Sequence, residues 1–339
     1  MKIGIIGAGG IASKMARTLA KMKSEGYEAY AIASRSLEKA QAFADENGVT
    51  RAYGSYEEML ADPAVELVYV ATPHSLHYEH GKMSILAGKP TLIEKAFTSN
   101  AKQARELVAL SKQKNVFLAE AIWTRYLPAR QIITDIIGGS SSVNVGDILS
   151  LTASLTYNIS GIERMYRPEL SGGALLDLGV YVINFALMFL GNPVSVTSRS
   201  KIYKDSGCDE KNRIVMTFAG GETAVLYCSM TEEKERVAVF AGSGGLLVCD
   251  DTNCPQEIVF HEYIKRTPQA KLTDTLLTKP TVFRCPFEIT GFEYQVRACA
   301  EAIKEGEIEP KQMPHSEIVK VMEIMDGIRK TAGVVYPVD

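Results

Sequence analysis

The chain begins with a β-branched run, Lys2-Ile3-Gly4-Ile5-Ile6, that passes without a break into Gly7-Ala8-Gly9-Gly10-Ile11-Ala12. That hexapeptide fits G-x-G-x-x-G/A. The pattern is weak by itself and gains meaning only from its setting, because its chemistry needs three things. A strand must lead in, glycines must let the backbone turn and approach a pyrophosphate, and a helix must follow whose free N–H groups face the anion. Residues 10–23 carry apolar side chains at helical spacing, so all three are in place. Gly7, Gly9, Gly10, Ile11 and Ala12 are therefore expected to cradle a dinucleotide.

The same rhythm continues for about 120 residues. Strands are expected at 2–6, 28–33, 67–71, 91–93 and 116–119, and helices at 10–23, 37–47, 76–87 and 101–114, with a short helical turn at 56–60. Such alternation builds βαβ units on a doubly wound parallel sheet. Beyond it the pattern changes to a helix at 130–137, an alternating run at 148–158, a long apolar helix at 173–190, and extended runs from 194 to 260. The clearest hairpin signal is Ala219-Gly220-Gly221-Glu222 between 214–218 and 223–230. Residues 264–287 read as loop, and helices return at 290–304 and 316–332. The fold class expected is α/β, with a Rossmann domain over residues 1–121 and a C-terminal α/β domain with an open, mostly antiparallel sheet over residues 122–339.

At the end of the second strand an NAD-specific site places an Asp or Glu for the ribose hydroxyls. This chain has Ser34-Arg35-Ser36. A guanidinium pairs bidentately with a 2′-phosphate and the two hydroxyls can donate to it, so NADP is favoured and NAD remains possible. Ser36 also reads as the N-cap of the next helix, with Arg35 simply solvated.

Charge sharpens the choice of partner. There are 37 basic and 40 acidic side chains in 339 residues, with no basic cluster and no basic tail, which argues against a nucleic-acid or membrane-surface partner. The N-terminal run lacks the h-region and cleavage pattern of a signal peptide, and residues 180–190 are too short to span a bilayer. Six cysteines are scattered through the second half without a C-x-x-C pair, as expected of reduced thiols in a cytoplasm. His74, His77 and His80 are spaced by three, which drifts around a helix, and no acidic or cysteine partner sits at a fitting distance in sequence, so no metal is expected.

Three further segments complete the pattern: Ala71-Thr72-Pro73-His74-Ser75-Leu76-His77, Ile93-Glu94-Lys95-Ala96-Phe97, and Ser171-Gly172-Gly173-Ala174-Leu175-Leu176-Asp177-Leu178-Gly179-Val180-Tyr181. In this order and spacing they resemble the glucose–fructose oxidoreductase / inositol dehydrogenase (Gfo/Idh/MocA) family, over nearly the whole chain. Glu120-Ala121-Ile122-Trp123-Thr124-Arg125-Tyr126-Leu127-Pro128, with Tyr at 181, is most similar to its dimeric dihydrodiol dehydrogenase and D-xylose dehydrogenase branch. The resemblance implies a nicotinamide cofactor held between the two domains. It places Thr72, Pro73, His74 and His77 under that cofactor with Glu94 and Lys95 beside it, Lys95 in the active site, and Trp123 and Arg125 at the mouth of the cleft. His77 is as well suited to bracing its helix as to touching the cofactor. Ala96 departs from the family's proline after the Lys, which leaves the loop geometry behind Lys95 open.

Hydride transfer to or from a hydroxyl-bearing carbon requires a group that titrates beside the nicotinamide. A free Tyr is a poor base near neutrality, and a neighbouring ammonium lowers that barrier. Tyr181 is accordingly expected as general acid/base, Lys95 as the charge that tunes it and holds the substrate oxygen, and Asp177 as a positioning carboxylate one helical turn away; Asp177 is itself an alternative base. Arg167 is a further candidate for binding substrate oxygens, and Trp123 for walling a sugar ring. These expectations add up to a dehydrogenase acting on a sugar, a sugar derivative or a cyclic trans-diol. The alternatives are an oxidoreductase that retains its cofactor and acts on glycosides or sugar pairs, and a non-catalytic NAD(P) sensor. Apolar residues on both alternating sets of the C-terminal sheet imply that a second copy covers its open face, giving a homodimer.

Overall fold

A computed structural model describes residues 1–263 and 279–339. The first sheet is built from β1 (Lys2–Ile6), α1 (Gly10–Lys21), β2 (Glu28–Ala33), α2 (Leu37–Asn47), β3 (Arg51–Tyr53), α3 (Tyr56–Ala61), β4 (Leu67–Val70), α4 (His77–Leu86), β5 (Thr91–Glu94), α5 (Ala101–Lys114) and β6 (Leu118–Ala121). Its six strands are parallel in the order β3-β2-β1-β4-β5-β6. The order reverses direction between β1 and β4, so a crevice opens where the chain leaves their carboxyl ends. Those ends are the Gly7 turn and the Ala71-Thr72-Pro73 turn.

Local sequence explains the helices that frame the crevice. Ser36, Ser55 and Asn100 accept the backbone N–H groups of Lys39, Glu58 and Gln103, capping α2, α3 and α5. The N-terminus of α1 has no such side chain and no acid in its first turn. Its orphan N–H groups stay available. The strand β3 was not expected, because three residues at a sheet edge are too few to show a period.

The second sheet follows α6 (Pro128–Ile137) and comprises β7 (Ile148–Thr156), then, after α7 (Val180–Leu190), β8 (Ser195–Ile202), β9 (Asp209–Thr217), β10 (Thr223–Ser229), β11 (Ala238–Gly242), β12 (Gly245–Cys249), β13 (Glu257–Glu262) and β14 (Thr281–Arg284). The order is β14-β13-β12-β11-β7-β10-β9-β8, antiparallel throughout except where β7 meets β10. Of the loop expected at 264–287, residues 264–278 lie outside the described residues. Thr281–Arg284 corrects the rest, pairing as an edge strand with β13.

One face of this sheet lies under α7, where Phe240 meets Phe185 and Phe189 at centroid distances of 5.9 and 5.5 Å. The apolar segment Pro168–Leu190 has the length and composition of a membrane span, but 83% of its most apolar window is buried inside the protein, so it serves as the core helix of this half. Helices α8 (Glu293–Lys304) and α9 (His315–Ala332) return to the first sheet. Leu118 N donates to Ile308 O, Arg297 pairs with Glu25, and the Thr18 and Thr290 hydroxyls bond across the junction.

Candidate active site

The first wall of the site is the crevice between β1 and β4. Gly7 adopts φ +101°, and a Cβ there would meet Ala71 O at 2.9 Å, so the sharp turn after β1 requires glycine. Gly9 and Gly10 differ: a Cβ on either would find no heavy atom within 4 Å. The open space above them lies at the unguarded N-terminus of α1, next to Ile11 and Ala12, which is a cradle suited to a pyrophosphate. Ser34 is buried and Arg35 exposed at the end of β2, and Ser36 caps α2 as expected. Across the crevice the Tyr56 and His80 rings pack edge-on at 4.6 Å, and Thr72 Oγ1 bonds to His80 Nδ1.

His77 sits with Nε2 2.7 Å from Thr72 O and Nδ1 2.8 Å from Ala96 O, bracing the turn after β4 against the turn after β5. Burial pushes it down to about 4, so near pH 7 the ring is neutral and donates to one of the two carbonyls. The peptide between Lys95 and Ala96 is cis, and Ala96 is fully buried. Glu94, also buried, accepts the Tyr69 hydroxyl and the backbone N–H of Lys95.

Lys95 projects from this turn toward the second half of the chain. Its Nζ donates to Asp177 Oδ1 at 3.0 Å and to Asp177 O at 2.9 Å, and lies 5.1 Å from the centre of the Tyr181 ring. Asp177 belongs to a π-turn, Leu175–Gly179, that runs straight into α7, where Tyr181 is the second residue. The expected single helix at 173–190 is therefore two geometries in series. Single π-turns are rare and concentrate at functional positions.

Charge at this point is tightly specified. Burial alone pushes Asp177 up, but Lys95 and Arg164, with Arg164 Nη2 at 3.4 Å, hold it well below the usual carboxylate range. His74 Nε2 is 3.7 Å from the same oxygen, while its Nδ1 faces Ser171 O at 3.3 Å. Burial holds His74 down to about 3, so near pH 7 it offers Asp177 a polar contact and no charge.

Three expectations are corrected here. The Tyr181 phenol is raised well above its ordinary value, first by burial and then by the charges of Glu94 and Asp177. Lys95, whose ammonium pairs with Asp177, does not bring the phenol below its ordinary value. Arg125 does not face the mouth of the cleft. It is 2% exposed, donating through Nε to Asn184 and pairing through Nη2 with Glu317, so it ties α7 to α9. Arg167 is held at the surface by Glu163 and Glu169, and it is Arg164 that reaches Asp177.

Trp123 is buried just after β6. Its indole N–H donates to Asn253 Oδ1 at 2.7 Å, and its ring packs against Phe287 and Phe292. Lys14 of α1 lies 4.1 Å from both the Trp123 and Phe292 rings, a contact that sequence reading missed. The available signal was its position three residues after Ile11, on the same face of α1. Nothing local in the sequence marked Tyr69 or Asn253, which reach the site only through sheet pairing and a distant turn.

Comparison with known proteins agrees with this geometry. Residues 1–121 match the oxidoreductase family with an NAD-binding Rossmann fold, and residues 141–248 match the GFO/IDH/MocA C-terminal domain. The chain is 32% identical to trans-1,2-dihydrobenzene-1,2-diol dehydrogenase of Danio rerio, covering 100% of this chain and 99% of the relative. It is 30% identical to the Homo sapiens protein of the same name, with the same coverage. Among solved structures, KijD10, a 3-ketoreductase from Actinomadura kijaniata in complex with NADP and TDP-benzene, superposes with a TM-score of 0.82 at 28% identity over 97% of each chain. With both halves matched and the dinucleotide cradle in place, the chain belongs to the Gfo/Idh/MocA family and is an NAD(P)-dependent oxidoreductase.

Proposed function

We propose that this oxidoreductase, with NADP as its favoured cofactor, interconverts a hydroxyl and a carbonyl on a sugar, a sugar derivative or a cyclic trans-diol. The carrying observation is the Lys95–Asp177 ion pair set beside the Tyr181 ring at the head of α7. In this reading residues 1–121 bind the nucleotide and residues 122–339 bind substrate.

Gly7, Gly9, Gly10 and the first turn of α1 hold the pyrophosphate. Ser34, Arg35 and Ser36 face the adenosine ribose, where the absence of a carboxylate supports a 2′-phosphate. Thr72, Pro73, His74, His77 and Glu94 shape the floor beneath the nicotinamide. When bound, that ring accepts or delivers a hydride at its C4.

The remaining chemistry belongs to the chain. In the reducing direction Tyr181, kept protonated by burial, gives its proton to the carbonyl oxygen, and the Lys95 ammonium hydrogen-bonds to that same oxygen. Asp177, kept ionised, orients Lys95. In the oxidising direction the alcohol proton passes to the Tyr181 oxygen, which favours alkaline pH because the phenol titrates high. Trp123 supplies an aromatic wall beside the substrate ring.

The outer face of the second sheet supports a homodimer. Val215, Val225, Thr152, Val239, Val248, Val259 and Val282 lie side by side across seven strands, a β-branched row that a second copy would cover. Six unpaired thiols accord with a cytoplasmic setting.

The test is a panel of trans-1,2-dihydrobenzene-1,2-diol, aldoses and glycosides offered with NADP and NAD in parallel and read at the nicotinamide absorbance band. Turnover of a diol or sugar with NADP is expected. Absence of turnover with every polyhydroxylated compound would overturn the reading.

A further inference from the structure

The turn that launches Asp177 is held by a segment far away in sequence. Ser171 adopts φ 54° and Gly173 φ +119°, so this turn occupies backbone conformations that need support from outside. From below, Asp209 Oδ2 accepts the Leu175 N–H at 2.7 Å and caps the π-turn. From the side, the Ser99 and Ser171 hydroxyls bond at 2.6 Å. From above comes Tyr336, 1% exposed, whose hydroxyl donates to Gly172 O at 2.8 Å.

Tyr336 is itself clamped. Arg329 in the last turn of α9 donates to both carboxylate oxygens of Asp339, at 2.7 and 3.1 Å, and its guanidinium lies 4.5 Å from the centre of the Tyr336 ring. Asp339 Oδ2 also accepts the Tyr336 N–H at 2.8 Å. The same segment grips the turn that carries Lys95: Asn100 Nδ2 donates to Val338 O and to Asp339 Oδ1, each at 3.2 Å. Asp326 Oδ2, one turn from Arg329 on α9, accepts the N–H of Ala101 at 2.8 Å.

Segment 336–339 thus bonds at one end to the turn preceding Asp177 and at the other to the turn following Lys95. We propose that Tyr336, locked in place by Arg329 and Asp339, is a positioning residue that sets the Lys95–Asp177 distance by pinning Gly172 against Asn100. The proposal rests on the reading of Lys95 and Asp177 as partners in the reaction. A hydrogen bond at Gly172 acts five residues from Asp177, through a turn and a π-turn, and misplacements of about 1 Å at a reacting pair cost rate steeply.

Tyr336→Phe removes one hydroxyl and keeps the ring on Arg329, and Asp339→Asn keeps the shape of the clamp while weakening it. Hydrogen–deuterium exchange of the holoenzyme with NADPH is expected to rise about tenfold in peptides spanning 171–179 in both variants, the size expected for one buried hydrogen bond, while β1, β4 and α1 keep their protection. On the best substrate from the panel, kcat falls about tenfold with the KM for NADP unchanged. Unchanged exchange at 171–179, or a uniform rise across the whole chain, overturns the proposal. Lys95→Ala is the parallel control. If it keeps turnover, the reading of the ion pair fails; if it is inactive while Tyr336→Phe behaves as wild type, only the positioning proposal fails.

Discussion

Lys95 Nζ lies 3.0 Å from Asp177 Oδ1 and 2.9 Å from Asp177 O, so one residue from the first sheet's β5 turn is held by two oxygens of a π-turn in the second half of the chain. The ammonium is fixed in direction as well as in place. Lys95→Ala should lower turnover by about 10²–10³-fold, the range for loss of a preorganised donor at a reacting oxygen. NADPH affinity, read by quenching of Trp123 as the chain's single tryptophan, should change little. Retained turnover would remove Lys95 from the mechanism.

The two kinds of glycine in the first turn should respond differently to alanine. Gly7→Ala forces a side chain into φ +101° with Ala71 O at 2.9 Å, which costs about 1–3 kcal/mol from the backbone conformation alone and lowers Tm. Gly10→Ala meets nothing in the protein, so Tm should hold while NADPH affinity falls, because the methyl fills the space kept for the nucleotide. Equal affinities for Gly10→Ala and wild type, measured by calorimetry, would contradict a pyrophosphate at this turn.

Arg35 stands exposed beside the buried Ser34. Arg35→Ala should raise the KM for NADP about tenfold or more and leave that for NAD nearly unchanged, as befits loss of one bidentate phosphate contact. A matched rise for both cofactors would mean that Arg35 does not read the 2′-phosphate.

How much of this could be read in advance depended on how local each feature is. The bounds of β1, β2, α2 and α5 were legible because capping residues and glycines mark them within a few positions. The glycine turn after β1 was legible for the same reason. The Asp177 helix was legible as a helix, but its π-turn was not, since that geometry is imposed by Asp209 reaching the Leu175 N–H from a strand 34 residues away. Spacing along the chain does not show that Arg125 turns inward to Asn184, or that Arg164 rather than its neighbour Arg167 meets the Asp177 carboxylate. Tyr336 was silent for a stronger reason, as its partner Gly172 is 164 residues distant.

Arg125 supplies a contrast with the site residues. Its guanidinium is buried among Asn184 and Glu317 and holds α7 to α9. Arg125→Met keeps the stem and removes the charge, leaving Asn184 Oδ1 unpaired, at a cost of about 2–4 kcal/mol. A clear loss in Tm is expected, with KM for substrate within about twofold of wild type if the guanidinium makes no uniform binding contact. A large rise in KM at unaltered Tm would restore Arg125 to the cleft.

Glu120 makes stability fall as the pH rises from about 4.5 to about 8. Its Oε1 accepts the Phe97 N–H at 3.1 Å, its Oε2 is buried with no hydrogen-bond partner, and burial pushes it up to about 8 from an ordinary 4.5, against the pull of Arg125. The folded protein therefore keeps a proton that the unfolded chain releases near 4.5. The native state binds more protons than the unfolded state between those two values. Stability from this group is complete below about 4.5 and is lost as pH rises toward about 8, with a slope approaching ~1.4 kcal/mol per pH unit for one proton. His74 and His77 act in the opposite sense at lower pH: held down to about 3 and about 4, they remain neutral when folded, and stability falls as the pH drops from about 6.5 toward those values. Thermal unfolding from pH 4.5 to 9 should show Tm declining on the alkaline limb from about 6.5 to about 8, and Glu120→Gln, which keeps the shape and cannot ionise, should flatten that decline and steepen the acid limb, where the Glu120 proton opposes the two histidines. An alkaline limb equally steep in Glu120→Gln would show that the proton resides elsewhere.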